Sequence, residues 1–308
     1  NDTSNRLLSM SEDEKKDKIF DVQASDFIKI VAEAYNKNKY VETADEKCEL
    51  ELFQYQKKII DFLKKTYKAI LEVGMGLGKT AAVLHYINEK IKLNYKYTVL
   101  IVAPKRVADV VWTSEAEKWN LKDVRDKMIL CAGSKDKRRE ALTCAAKTIK
   151  IIGRDNVADV IEYANIKYDL VIFDELTSFK NVESKRTEAA AQINGVQYVG
   201  LTGTLVPNGE VDLYGQAAVV HLYEYNIKKF YAWRAFNFND KMKNLKVKFH
   251  KWELSVPLAK ILNPLKPYIF SLDSADYLDI PPVREISRAV VLSEKEYSQY
   301  TELVATLH

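Results

Sequence analysis

Three glycines fall within seven residues at Gly74-Met75-Gly76-Leu77-Gly78-Lys79-Thr80, although the whole chain holds only ten. They follow an apolar run and open a segment with helical patterning. Glycine admits backbone conformations that turn successive N–H groups toward one point, and such a concavity attracts anions. The start of the following helix adds positive potential. In that setting Lys79 reaches the β- and γ-phosphates of a nucleotide, and the Thr80 hydroxyl holds Mg²⁺. The strict phosphate-loop pattern wants glycine at position 73, where Val73 stands; the shorter core Gly76-x-Gly78-Lys79-Thr80 is intact.

Ninety-five residues after Lys79 the run Val171-Ile172-Phe173 ends in Asp174-Glu175. A strand ending in two acids is a weak signal by itself, because helix caps look alike. Behind a phosphate loop it becomes the expected second half of a nucleoside-triphosphatase site. Asp174 suits a Mg²⁺ ligand and Glu175 suits polarisation of the attacking water.

These groups need a scaffold that brings them together. Between 51 and 220, apolar runs rich in Val and Ile cover 68–73, 97–103, 127–132, 148–152, 169–173 and 198–201. Their near-continuous apolar character marks strands buried on both faces. Helical patterns lie between them, at 54–66, 79–93, 106–118, 135–146, 155–163 and 184–193. The alternation predicts an α/β fold, a parallel sheet flanked by helices, which binds ligands at the carboxyl ends of its strands.

The flanks differ. Residues 1–50 carry 8 Lys/Arg against 12 Asp/Glu and no Gly or Pro. Ser11-Glu12-Asp13-Glu14 fits a capping box, and one or two helices are expected as an N-terminal extension. Beyond 222 the strand–helix rhythm breaks. Residues 226–251 hold 8 Lys/Arg and a single acid, Asp240, interleaved with aromatics. Lys241, Lys243, Lys246 and Lys248 form a candidate nucleic-acid patch. Its aromatics either stack on bases or pack this segment, 223–292, onto the domain. A last helix is expected from a second capping box, Ser293-Glu294-Lys295-Glu296.

Composition is that of an ordinary globular chain, 29% charged and net +4. No apolar run approaches the ~20 residues of a membrane helix, so a soluble cytoplasmic protein is expected. The three cysteines form no C-x-x-C pair and the four histidines are scattered. Reduced thiols and no zinc site follow.

The ordered set of segments resembles helicase superfamily 2, the DEAD/DEAH-box group, and within it the SWI/SNF-like ATPases. Gly74–Thr80 is similar to motif I, Asp174-Glu175-Leu176-Thr177 to motif II, and Leu201-Thr202-Gly203-Thr204 with Pro207-Asn208-Gly209 to motif III. Tyr55-Gln56 stands where the Q motif places a glutamine for adenine. Val99–Pro104 with Lys105-Arg106 resembles motif Ia, and Arg154-Asp155-Asn156-Val157 occupies the place of motif Ib. Leu278-Asp279-Ile280-Pro281 resembles the exit from the first motor domain. The wording Asp-Glu-Leu-Thr-Ser-Phe-Lys at 174–180 is similar to short phage and bacterial members. Thr177 stands where DEAH proteins have His.

The resemblance implies a RecA-like domain at 51–222, completed by 223–292, which binds ATP with Mg²⁺. It implies adenine contact by Gln56, coupling by Thr202, Gly203 and Thr204, and phosphate-backbone contacts by Lys105, Arg106 and Arg154. The track is nucleic acid, with duplex DNA favoured. The chain is expected to supply the first of two RecA-like domains, 293–308 leading toward the second. The family's arginine finger belongs to that second half and is worth roughly 10³–10⁵ in rate, so this chain by itself should turn over ATP poorly. Two rivals stay open: a phosphate-loop enzyme that does not act on nucleic acid, and a non-catalytic module that keeps the fold.

Overall fold

The computed structural model describes residues 50–164, 166–206, 209–242, 251–273, 277 and 292–306. The chain divides into a unit of residues 1–51 and a unit of residues 52–308, and the account below concerns the second. The helices expected near the N-terminus lie outside the described residues.

Seven strands form one sheet: β1 (Lys68–Val73), β2 (Val99–Ala103), β3 (Met128–Cys131), β4 (Ile149–Gly153), β5 (Tyr168–Asp174), β6 (Gly195–Thr202) and β9 (Ile269–Leu272), in the order β3-β4-β2-β5-β6-β1-β9. Every pairing within it is parallel. The six runs read from the sequence all become strands, with ends that shift by three residues at most. All five residues of β2 are buried, as a strand covered on both faces requires.

The strand's two-residue period sorts the core into two layers. Val99, Ile101, Leu170, Ile172, Val199 and Leu201 face one cluster. There they meet α1 (Gln54–Lys65), α2 (Lys79–Leu93) and α3 (Trp112–Lys118). Leu100, Val102, Val171, Phe173 and Tyr198 face the other. That layer is closed by residues of α5 (Lys135–Thr143), α6 (Ala158–Tyr163), α7 (Lys185–Ala191) and α8 (Leu213–Val219). Short side chains start several helices: Ser134 and Ser184 accept the N–H of Lys137 and Thr187 at 3.4 and 3.2 Å.

Three features depart from the sequence reading. The expected helix 106–118 begins as a π-helical turn, Val107–Val111, before α3. A short helix α4, Lys122–Arg125, precedes β3. Most consequential, β9 adds a seventh strand beside β1, with Ile70 opposite Ile269 and Val73 opposite Leu272. Four residues in a proline-punctuated stretch carry too little periodicity to announce a strand.

The segment after 222 forms α9 (Ile227–Asn237), a hairpin of β7 (Phe238–Asp240) and β8 (Trp252–Leu254), and α10 (Leu258–Leu262). Its aromatics mostly pack. Phe230 and Phe238 are buried, and Tyr214 meets Tyr223, Phe230 and Trp233 at ring separations near 5 Å. Arg234 lies 4.2 Å over Trp252. Tyr231 and Phe236 are exposed. The last helix, α11 (Glu294–Thr306), starts as its capping box predicts: Glu296 Oε2 accepts the Ser293 N–H at 2.9 Å, and Ser293 Oγ accepts the Glu296 N–H at 3.4 Å. Among the described residues no helix is long and apolar enough to cross a membrane.

Candidate active site

The carboxyl ends of β1, β6 and β5 lie side by side, so the loops that follow them share one rim of the sheet. The loop after β1 is anchored at both ends. Gly74 N–H donates to Leu272 O of β9 at 3.0 Å, and Leu77 is fully buried. Gly76 and Gly78 have φ of +83° and +68°, the left-handed region in which a Cβ is strained. No side chain caps the start of α2, so the N–H groups of its first turn are left for another acceptor. Thr80 is the second residue of that turn and is half-buried.

Gln56 is buried behind this loop rather than in it. Its Oε1 accepts the Phe53 N–H at 2.9 Å, and its Nε2 donates to Leu77 O and Gly78 O at 3.3 and 3.4 Å. A Cβ on Gly78 would collide with that Nε2. The glutamine and the glycine loop are therefore one packed unit.

Lys79 Nζ donates to the carbonyls of Val73 (2.5 Å) and Gly74 (3.2 Å). Burial lowers its pKa, and the carboxylates of Asp174 and Glu175 oppose that shift. Lys79 and Glu175 line one cavity, and Asp174 immediately precedes Glu175 at the end of β5, as a shared phosphate–metal site demands.

Asp174 ends β5. Its Oδ1 accepts the Glu175 N–H at 3.0 Å and its Oδ2 accepts Trp112 Nε1–H at 3.0 Å. Burial raises its pKa, and those two hydrogen bonds oppose the rise. Glu175 follows with φ +56°, rare for a residue with a side chain. Such a conformation costs on the order of 1–3 kcal/mol and clusters at functional sites. It leaves the Glu175 carboxylate exposed, held by the Thr177 hydroxyl at 2.6 Å.

The loop after β6 closes on itself. Thr202, buried, donates through Oγ1 to Thr204 O at 2.7 Å and accepts the Thr204 N–H at 3.2 Å. Glu72, inside β1, then links β9 and the loop after β6: its carboxylate accepts the Leu205 N–H at 3.0 Å and the Ser271 hydroxyl at 2.9 Å. Sequence reading missed Glu72 and Trp112. A lone glutamate within the apolar run Ala69-Ile70-Leu71-Glu72-Val73 was the available signal for the first.

A cavity of about 720 Å³ opens on this rim, lined by Glu72, Met75, Lys79, Glu175 and Thr204 among others. Its size suits a cofactor-sized ligand. Among the described residues no group of three or more His, Cys, Asp or Glu is placed to hold a metal. Mg²⁺ in phosphate chemistry takes one or two protein oxygens and completes its shell with phosphate and water. The desolvated Asp174 carboxylate and the Thr80 hydroxyl are the matching donors.

The expected nucleic-acid residues are dispersed. Lys105 and Arg106 follow β2 and are exposed, with Lys105 paired to Asp109 at 2.6 Å. Arg154 follows β4 and donates to Ser178 Oγ, in the loop after β5. Lys241, on the β7–β8 hairpin, pairs with Glu253 at 2.9 Å. Lys243, Lys246 and Lys248 lie outside the described residues, as do Pro207, Asn208 and 278–281.

Comparison with known proteins follows the same outline. A family model described as the SNF2-related domain matches residues 55–307. A putative protein, p41, of Acyrthosiphon pisum secondary endosymbiont phage 1 is 32% identical over 242 residues, covering 73% of this chain and 51% of that protein. The DNA excision repair protein ERCC-6-like of Mus musculus is 27% identical over 222 residues, 68% of this chain and 16% of its own length. An uncharacterized ATP-dependent helicase of Mycoplasma genitalium is 28% identical over 170 residues, 53% of this chain and 16% of its own. Among solved structures, the Sulfolobus solfataricus SWI2/SNF2 ATPase core in complex with dsDNA superposes with a TM-score of 0.59 at 20% identity, covering 76% of this chain and 47% of that one. The chain thus spans about half the length of the phage relative and of the archaeal core, and a smaller part of the mouse protein.

Proposed function

Because the chain belongs to the SNF2-related domain family, with the parallel RecA-like sheet of an ATPase motor, we propose that it binds Mg-ATP and couples hydrolysis to movement along nucleic acid, duplex DNA foremost. The observation that carries this reading is one cavity lined by Lys79 and Glu175, with Asp174 beside it at the end of β5 and a glycine loop that opens a helix.

The triphosphate lies against the N–H groups of residues 74–80. Lys79 exchanges the Val73 and Gly74 carbonyls for phosphate oxygens, a local swing that costs it no net hydrogen bonds. Thr80 and Asp174 would hold Mg²⁺, which would supply neutralising charge for the phosphate oxygens. Glu175 orients the attacking water from an exposed position that its left-handed backbone enforces. Gln56 acts at the adenine end through the loop it braces; to meet the base directly its amide must first release Leu77 and Gly78.

Thr202 ends β6 beside β1, Gly203 and Thr204 lead into Leu205, and the three relay the nucleotide state through Glu72, which binds the Leu205 N–H. Lys105, Arg106 and Arg154 follow the neighbouring strands β2 and β4, where they contact phosphates without reading sequence. Lys105 and Arg154 must trade Asp109 and Ser178 for phosphate oxygens. The residues around Lys241 contribute a further basic contact. Efficient turnover needs a second RecA-like domain, which fits the greater length of the matched relatives.

The test is an ATPase assay on the longest natural chain with no polymer, single-stranded DNA, duplex DNA or RNA, beside its Lys79→Ala variant. Stimulation by nucleic acid, greatest with duplex DNA, and loss of nucleotide binding in the variant are expected. Turnover indifferent to every polymer, or unchanged ATP affinity without Lys79, overturns the proposal.

A further inference from the structure

Trp112 is the first residue of α3 and is wholly buried, in the core layer beneath α1 and α2. A buried indole N–H needs an acceptor. This one finds the carboxylate of Asp174, 62 residues away in the chain.

The geometry is restrictive. Trp112 holds Oδ2 and the Glu175 N–H holds Oδ1, so each oxygen has one donor of its own. An ionised carboxylate offers about four lone-pair sites. Two are engaged by the protein and the others stay open for a further ligand. Rotation of the carboxylate would break both bonds at once.

The segment that delivers Trp112 starts at Lys105 and Arg106 and passes through the π-helical turn Val107–Val111. Wide turns of this kind recur at functional sites. The same short stretch therefore carries two exposed cations at one end and, at the other, the donor that holds Asp174.

We infer that Trp112 is a positioning residue: its indole N–H sets the Asp174 carboxylate for magnesium and ties that setting to the segment begun by Lys105 and Arg106. The inference rests on the nucleotide site proposed above. An outer partner of a metal ligand typically controls metal affinity by roughly 10- to 100-fold.

The test removes the N–H and keeps the shape. In the full chain, position 112 receives 3-benzothienylalanine, whose sulfur replaces the indole nitrogen; Trp112→Phe is made in parallel. A fluorescent ATP analogue is titrated in EDTA and across a Mg²⁺ series, and each chain is checked by thermal melting. Expected are analogue binding in EDTA within about twofold of wild type and a Mg²⁺ midpoint raised ~10- to 100-fold. A core role alone would lower the melting temperature and leave the Mg²⁺ midpoint in place. A folded benzothienyl chain with the wild-type midpoint overturns the inference; should that chain not fold, Trp112→Phe is read by the same criterion. Failure of the wild-type chain to bind the analogue at any Mg²⁺ concentration would instead strike the nucleotide site itself.

Discussion

Gly78→Ala isolates the joint between the phosphate loop and α1. At φ +68° an alanine pays a backbone penalty of roughly 1–2 kcal/mol. Its Cβ also lands on Gln56 Nε2, which must move and release the Leu77 and Gly78 carbonyls. Those hydrogen bonds are long, so together they add about 1–2 kcal/mol. The sum, about 3 kcal/mol, lowers the melting temperature by roughly 6–12 °C in a domain of this size. In a Gln56→Ala background the collision disappears and only the backbone term remains, so the double-mutant cycle should show a coupling of about 1–2 kcal/mol. Gly74→Ala is the internal control, because Gly74 is not in the left-handed region. Calorimetric melting of the five chains reads all of this. A Gly78→Ala protein melting within about 1 °C of wild type, or an equal penalty in both backgrounds, would refute the packing described for this loop.

Two further predictions concern titration and reactivity. Burial pushes the Tyr86 hydroxyl up to about 12, and Tyr97 and Tyr168 are raised by the same cause. The folded chain thus keeps protons that an unfolded chain loses near pH 10, so this contribution is intact below about pH 10 and is lost as pH rises toward 12. The melting temperature should hold from pH 7 to 9 and fall steeply above 10, less so in Tyr86→Phe; a flat profile to pH 11.5 would contradict it. Cys131 is buried, with its thiol pushed up to about 11, whereas Cys144 is partly exposed. Iodoacetamide at pH 8, followed by peptide mapping, should label Cys144 well before Cys131, and equal rates would count against the described core.

What the sequence determined by itself was whatever neighbouring residues settle locally. Val99–Ala103 and Leu170–Phe173 are apolar without a break, and only a strand covered on both faces accommodates that. Glycines at 76 and 78 before Lys79 signal a left-handed turn into a helix because other residues resist that backbone. Ser293 with Glu296 marks a helix start because two side chains three residues apart meet the free N–H groups there. Asp174 and Glu175 gained meaning from the loop ninety-five residues before them.

Tertiary packing decided the rest. Nothing near Ile269–Leu272 marks a strand; it forms because β1 offers an edge beside the phosphate loop. The aromatics of 223–252 suit either stacking on bases or, the favoured reading, packing onto the domain, and the contacts of Tyr214, Phe230 and Trp233 place most of them in core clusters. That Gln56 also braces the loop from behind, and what Glu72 and Trp112 hold, is set by partners 21, 133 and 62 residues away. The division has one physical cause. Backbone sterics and capping act within a few residues and leave a local pattern, whereas a buried carboxylate or indole is defined by what lies across the sheet.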